Sequence, residues 1–318
     1  MNLTDDMRHL APSVFEPSSG RWVHCDSAGS RAVEQLTLVT YNIWFGEYRW
    51  RERLAHLLEL VASYRPDIIA FQEVTPRQLG QILATDWIRE RFLVSDASGF
   101  TVNPHGVVLL SRLPIRDVLL YPLPSRKDRK LLTAWVDTGH ERISIGNLHL
   151  ESSPNNRLLR LAQLKRVVSK QRRSDHALLM GDFNFDPRGN AEQSRLGNNY
   201  LDLWRSLSKG GDAGHTVDSS RNRMRFLQKR KHKHVRFDRI LLRSLEHRWV
   251  PKHIRLLGTA PISPAMPETY PSDHFGLVAV IERQGETNLV TDPAPHPLLR
   301  VIRAITGYDR RPAAPSNE

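Results

Sequence analysis

The stretch Ala177-Leu-Leu-Met-Gly-Asp-Phe-Asn184 constrains the fold of this chain more than any other. Its first four residues are apolar without a break, so as a strand they leave no face for water and must be covered on both sides. Gly181 closes the run. Asp182 and Asn184 then follow at alternate positions, which puts both on one face of an extended chain. A carboxylate and an amide at the mouth of a buried strand are costly for folding alone. They either serve chemistry or shape a turn in which Asp182 bonds its own backbone.

The same pattern recurs. Leu36-Thr-Leu-Val-Thr-Tyr-Asn42, Asp67-Ile-Ile-Ala-Phe-Gln-Glu73 and Ile143-Ser-Ile-Gly-Asn-Leu-His149 read as strands that end on polar residues. Further strand-like runs lie at Gly106–Ser111, Val118–Tyr121, Leu131–Asp137, Val235–Leu242, Ile254–Leu257 and Phe275–Ile281. Apolar stripes at helical spacing predict helices over Arg51–Tyr64, stopped by Pro66, and over Asn156–Lys170, and Pro76 opens another through Leu83. Many strands with covered faces and few helices predict an α/β fold of two packed β-sheets flanked by helices. Residues 1–34 show no sustained period and are expected to be a flexible N-terminal arm. Residues 35–283 form one main domain, residues from Asn184 to Val235 are largely irregular, and residues 284–318 are a Pro-rich basic tail with a short helix at Leu298–Ile305.

Charge narrows the partners. Lys and Arg outnumber Asp and Glu by 46 to 34, a formal +12. That excess favours polyanions, nucleic acid first and anionic membrane surfaces or phosphorylated small molecules second. The densest part, Arg221–Arg236, is either a solvated loop or a contact to a nucleic-acid backbone. The single Cys25 excludes an internal disulfide and a Cys-rich metal site. No apolar run approaches the roughly 18 residues of a membrane span. The N-terminus lacks a basic region followed by an apolar one, so an intracellular, soluble protein is expected.

Five strand ends carry polar groups: Asn42, Glu73, His149 with Ser152, Asp182 with Asn184, and Asp273 with His274. Each alone has an ordinary structural role, as turn residue, helix start or core histidine. Together, oxygen donors with imidazoles and no Cys cluster point to Mg²⁺ or Mn²⁺ and phosphate chemistry rather than structural zinc. A lone carboxylate such as Glu73 suits Mg²⁺, which keeps several waters and is completed by substrate phosphate oxygens.

Thr40-Tyr-Asn42, Phe71-Gln-Glu73, Leu148-His-Leu-Glu-Ser152, Gly181-Asp-Phe-Asn184 and Ser272-Asp-His274 resemble, in order, the motifs of the endonuclease/exonuclease/phosphatase superfamily, across most of the chain. The resemblance implies a four-layered α/β sandwich of two mixed β-sheets flanked by helices, DNase I-like, with a Mg²⁺-dependent phosphodiesterase site. Pro122-Leu-Pro-Ser125, Asn198-Asn-Tyr-Leu-Asp-Leu-Trp204, Arg236-Phe-Asp-Arg-Ile240 and Pro271-Ser-Asp-His-Phe-Gly-Leu277 are similar to the branch that cleaves tyrosine from DNA 5′ phosphates. It implies DNA ends and DNA–protein adducts as partners, a repair role and a monomer.

By that resemblance Glu73, with Asn42 and Asp273, holds the metal; Asp273 is alternatively a turn-shaping residue. Asp182 activates water, and Asn42 and Asn184 position it. His274 and His149 donate to the phosphoryl group, Ser152 adds a hydrogen bond, and Asp238 orients His274. Trp204, Arg236, Arg239 and Ser125 contact substrate or DNA. Four departures bear on the substrate. Trp44 and Asp186 stand where the branch has an acid and an Arg, Thr216-Val-Asp218 lacks its aromatic, and Pro104–Gly106 offers no counterpart to another. The alternatives are a phosphoinositide, sphingomyelin or other small phosphoester, or general endo- or exonuclease action. A catalytically silent nucleic-acid-binding module is disfavoured, because all five motifs keep their reactive side chains.

Overall fold

In the computed structural model, which describes residues 7–25, 32–172, 174–188, 190–197, 199–208 and 211–285, the unbroken apolar runs are central strands covered on both faces. Gln35–Asn42 lies parallel to Ile68–Val74, with Leu38 opposite Ile68 and Asn42 opposite Gln72. Along these strands Leu36, Leu38, Ile68 and Ala70 enter one core, while Val39, Tyr41, Ile69 and Phe71 enter another. His176–Asp182 sends Leu178 and Met180 into the first of these cores, and Ala177 and Leu179 into a third. The shared core is therefore the layer between two sheets. Helices Trp50–Ser63 and Pro76–Ala84 close one outer core, and Arg157–Gln171 closes the other. Truncating a side chain such as Leu178 in the central layer would cost about 2–5 kcal/mol.

One sheet has seven strands, in the order Arg8–Leu10, Ile115–Pro122, Lys130–Asp137, Arg142–His149, His176–Asp182, Asp238–Ser244 and Leu201–Asp202. The other has eight: Trp249–Leu257, Gly276–Arg283, Gln35–Asn42, Ile68–Val74, Gly106–Ser111, Leu93–Val94, Ser13–Glu16 and Arg21–His24. A separate two-stranded ribbon pairs Val217–Asp218 with His234–Val235. No described helix is long and apolar enough to cross a membrane.

Two expectations need correction. The supposed N-terminal arm is built into the sheets: Arg8–Leu10 pairs with Ile115–Pro122, and Ser13–Glu16 pairs with Arg21–His24 and Val94. Segments this short complete too few repeats for a period to register. The region after Asn184 contains helices Asn190–Leu196, Leu203–Leu207 and Arg223–Lys229. Residues 1–6, Asn198 and the tail from 286 to 318, with its expected helix at Leu298–Ile305, lie outside the described residues.

Register lines up the functional strand ends. His149 pairs with Asp182 across a parallel ladder, and Asp182 pairs with Asp238 across an antiparallel one. In the facing sheet, the strand that follows His274 pairs Leu277 with Thr40. At Gly181 φ is +137°, and a Cβ would sit 2.0 Å from the Leu148 carbonyl oxygen, so only glycine lets the His149 and Asp182 strands run together to their ends.

Candidate active site

Asp182 is the centre of the cluster and is buried. Its Oδ1 accepts the Asn184 backbone N–H at 2.8 Å, and its Oδ2 accepts Asn42 Nδ2 at 3.1 Å and lies 3.3 Å from His149 Nε2. Burial, then the nearby Asp238 charge, raises its carboxyl to about 7, against the pull of the His274 cation. A carboxylate poised there is a competent base near neutrality.

The two histidines are held in opposite states. His149 Nδ1 lies 2.8 Å from Arg129 Nη1. A guanidinium can only donate, so Nδ1 is the acceptor and the ring proton is assigned to Nε2, on the Asp182 side. Burial, with Arg129 beside it, keeps His149 well below its usual pKa and therefore neutral. His274 Nδ1 instead meets Asp238 Oδ2 at 2.8 Å. Burial opposes its charge, yet Asp238, with Asp273 and Asp182 behind it, prevails and raises His274 to about 10. Thr216 fixes Asp238: its Oγ1 accepts the N–H of Phe237 at 3.0 Å and of Asp238 at 3.1 Å.

Glu73 sits where the ladder to Gly106–Ser111 shifts register, with φ +59°, so a bulge turns it out of the strand's alternation. Its Oε2 accepts Phe45 N–H at 3.3 Å, and its Oε1 is 3.9 Å from His149 Nε2. Burial and the neighbouring Asp273 raise its pKa. Asn42 Oδ1 accepts the Trp44 N–H at 3.1 Å and keeps a second lone pair. Trp44, in the place of the expected acid, is buried under Arg53, whose guanidinium donates to the carbonyls of Gly46 and Pro271 at 2.8 and 3.0 Å. Gln78 ties the same loop to the start of its helix, donating to the Trp44 carbonyl while completing a capping box with Thr75.

These groups fit a hard divalent cation. Glu73, half-buried, and Asp273, buried, are oxygen donors whose mutual repulsion such an ion would relieve, and Asp238 Oδ1 is a buried carboxylate oxygen without a partner among the described residues. Donor atoms of Asp182, Asp238 and His274 also lie within 4.8 Å of one another.

The other expected residues divide. Asn184, at φ +53°, donates from Nδ2 to the Leu150 carbonyl at 3.1 Å, holding the two strand-end loops together. Asp273 Oδ2 accepts Arg225 Nη1 at 3.3 Å. Ser152 lies at the rim, its hydroxyl accepting from Lys127 Nζ at 2.6 Å. Ser125 has an internal role: its hydroxyl donates to Glu151 at 2.7 Å and accepts the N–H groups of Lys127 and Arg129, so it shapes the turn that delivers Arg129. Arg236 and Arg239 are corrections. Both are buried on the Asp202 carboxylate at 2.7–3.0 Å, and Trp204 packs into the central core with its indole N–H on the Asp212 carbonyl. Long-range partners such as Asp202 cannot be read from a basic sequence motif.

Four contributors carry roles in the site that the sequence did not assign to them. Arg129 lay inside a stretch legible only as polar and basic, and Thr216 and Ser272 act through contacts distant in sequence. Ser272 Oγ donates to the Asn42 carbonyl at 2.6 Å and accepts the His274 N–H at 3.2 Å. Lys233, from the basic stretch, is half-buried and close enough to feel the Asp182 charge. Asp186, expected to remove an arginine, pins one instead: Arg188 Nη2 reaches its Oδ2 at 2.6 Å.

Two facing sheets that present a carboxylate, a neutral and a charged imidazole and hard oxygen donors at their strand ends have the make-up of a phosphoester hydrolase. The chain belongs to the Endonuclease/Exonuclease/phosphatase family, whose sequence pattern spans residues 39–274. It is similar to tyrosyl-DNA phosphodiesterase 2 of Mus musculus, with 28% identity over 260 residues, 77% of this chain and 66% of that protein. The Homo sapiens protein of the same name is 28% identical over 254 residues, 78% of this chain and 68% of its own length. The chain thus spans about two thirds of these relatives. The crystal structure of D. rerio TDP2 complexed with single strand DNA product shares the fold, with a TM-score of 0.67 and 23% identity over 78% of this chain and 99% of that one.

Proposed function

We propose that the protein is a metal-dependent phosphodiesterase of DNA repair that hydrolyses 5′-phosphotyrosyl DNA ends as a monomer, leaving a 5′ phosphate. The observation that carries the reading is the Asp182 carboxylate, held by Asn42 and the Asn184 amide between a neutral and a charged imidazole, with its pKa near 7. Similarity to tyrosyl-DNA phosphodiesterase 2 supports the substrate, and the relative complexed with single strand DNA product supports DNA as the partner.

Asp182 takes a proton from water as the water oxygen attacks phosphorus, and the bond from phosphorus to the tyrosine oxygen breaks. The phenolate leaves with its electron pair; with a pKa of about 10 it needs little help from an acid. The charged His274 and the Nε2–H of His149 donate to the phosphoryl oxygens as negative charge gathers there. Asp238 and Thr216 keep His274 charged and in line, Asn42 and Asn184 keep Asp182 aimed, and Ser152 adds a donor at the rim. Glu73 and Asn42, with Asp273 beside them, would hold Mg²⁺ or Mn²⁺, which supplies positive charge to the phosphoryl oxygens when bound. Arg225 and Lys233 bring the basic stretch to the rim, where the DNA phosphates would lie.

The test is to offer the purified protein, with Mg²⁺, a 5′-phosphotyrosyl oligonucleotide, an abasic-site duplex and a phosphoinositide. Release of tyrosine from the first, with little turnover of the others, is expected. Preferential cleavage of the phosphoinositide would instead favour a small-phosphoester hydrolase, the reading to which Val217 in place of an aromatic lends weight.

A further inference from the structure

Outside the strand-end cluster, a second group of metal-competent side chains gathers on the two-stranded ribbon. His215, Asp218 and His234 bring one donor atom each to within 4.8 Å of one another. Asp218 and His234 are direct partners in the ribbon's register, and His234 Nδ1 lies 3.2 Å from Asp218 Oδ1. Four ligands at about 2.0–2.1 Å from a tetrahedral ion stand about 3.3–3.4 Å apart, so this edge is already formed. The rings of His215 and His234 are 6.0 Å apart, and the remaining closure needs only side-chain rotation.

The supporting contacts fit ligation. Asp218 Oδ1 is held by the N–H groups of Ser220 at 3.0 Å and Arg221 at 3.2 Å. His234 Nε2 lies 3.4 Å from the Ser220 hydroxyl, which can accept the ring proton there and leave a lone pair on Nδ1. A lone pair on Nδ1 facing a carboxylate oxygen at 3.2 Å requires a positive charge between them, either a proton or a metal ion. A proton would join only Asp218 and His234, whereas a metal ion would also take the donor of His215, which lies within 4.8 Å of both. The backbone beneath is rigid: Thr216, next to His215, accepts two N–H groups through Oγ1 and the Phe275 N–H through its carbonyl, and Ser219 N–H bonds the Lys233 carbonyl. The His234 side chain is 42% exposed, which gives an ion a way in.

We propose that His215, Asp218 and His234 form a second metal site, a two-histidine, one-carboxylate set for a late first-row divalent ion such as Zn²⁺, completed by water. Two nitrogen donors separate it chemically from the oxygen-rich site at Glu73, which suits Mg²⁺. The basic residues flanking it in sequence oppose a dication, and Asp186, near enough to His215 to feel its charge, works the other way.

The test uses the full chain with Zn²⁺ alone and with Co²⁺ as a spectroscopic stand-in, both in excess Mg²⁺. The wild-type protein should retain one Zn²⁺ that Mg²⁺ does not displace, and its Co²⁺ form should show visible d–d absorption. His215→Gln and His234→Gln should each weaken retention by at least about tenfold, since loss of an outer partner alone costs about 10–100-fold, and should abolish the absorption. Asp182→Asn should preserve both. Unfolding midpoints in EDTA identify any variant that fails to fold, in which case Asp218→Asn takes its place. Retention in the histidine variants equal to wild type, or no retention in the wild type, would overturn the proposal and leave a proton-bridged ion pair.

Discussion

Arg129 donates from Nη1 to Nδ1 of His149 across 2.8 Å, and this bond decides which ring nitrogen faces Asp182 with a proton. The side chain that looks most like a general acid is therefore a fixed neutral donor. Arg129→Gln removes a charged hydrogen bond worth about 1.5–3 kcal/mol, so kcat should fall by about 10–100-fold. A merely structural loss would leave the pH profile unchanged. Here the acid limb should move to higher pH, because His149, held down chiefly by burial, loses the Arg129 cation that adds to it. Matching limbs in the two pH–rate profiles would reject the role.

Asp182→Asn keeps the shape and removes the base, so turnover should fall by about 10²–10⁴-fold while oligonucleotide binding persists. Stability carries a separate signature. The folded carboxyl titrates at about 7 against an ordinary 3.8, so the fold retains a proton that the unfolded chain has released. Its contribution is complete below 3.8 and is lost as pH rises through about 7. Urea unfolding in EDTA at pH 5 and pH 8 should therefore give a smaller loss of stability for the variant than for wild type.

His274 bends the curve in the next window. Its folded pKa of about 10 against 6.5 means that the Asp238 pair stabilises fully below 6.5 and ceases to do so as pH rises through about 10. His274→Asn should flatten unfolding free energy between those limits and abolish most turnover. A wild-type protein whose metal-free stability did not fall across this range would contradict a charged His274.

Asp202 illustrates what a basic motif conceals. Its carboxylate caps the helix Leu203–Leu207 and receives both Arg236 and Arg239, all three buried. Asp202→Ala leaves two buried cations without a counter-ion and should cost about 3–5 kcal/mol in denaturant unfolding. Arg236→Gln should leave the salt dependence of DNA binding unaltered, as expected of a cation that meets no phosphate.

What was legible in the sequence follows from the same physics. Asn42, Glu73, His149, Asp182 and His274 each end or adjoin an apolar run, so a one-dimensional reading finds them, and buried strands with two covered faces already require layered sheets. The partners that set protonation are different in kind. Arg129 reaches His149 across 20 residues, Thr216 reaches Asp238 across 22, and Ser272 reaches Asn42 across 230, with no local pattern announcing any of them. Arg236 and Arg239 look like surface cations because their composition is that of a nucleic-acid contact, while the Asp202 that buries them lies on an edge strand 34 and 37 residues away.

Glu73 offers the most direct check on the metal. Burial and Asp273 raise its pKa, so the metal-free fold carries a penalty for its ionised form that a divalent cation would remove. Binding to the folded state alone adds RT ln(1 + [L]/Kd), about 2.7 kcal/mol at a hundredfold excess over Kd. Mg²⁺ should thus raise the unfolding midpoint of the wild-type protein and leave that of Glu73→Gln nearly unmoved. Because the carboxyl must lose its proton to bind, the rise should grow with pH on the acid side and be accompanied by proton release in a weakly buffered calorimetric titration. Glu73→Gln preserves the side-chain volume and the Phe45 N–H acceptor, so an intact Mg²⁺ response in that variant would transfer the metal to Asp273 and the Asp182 cluster.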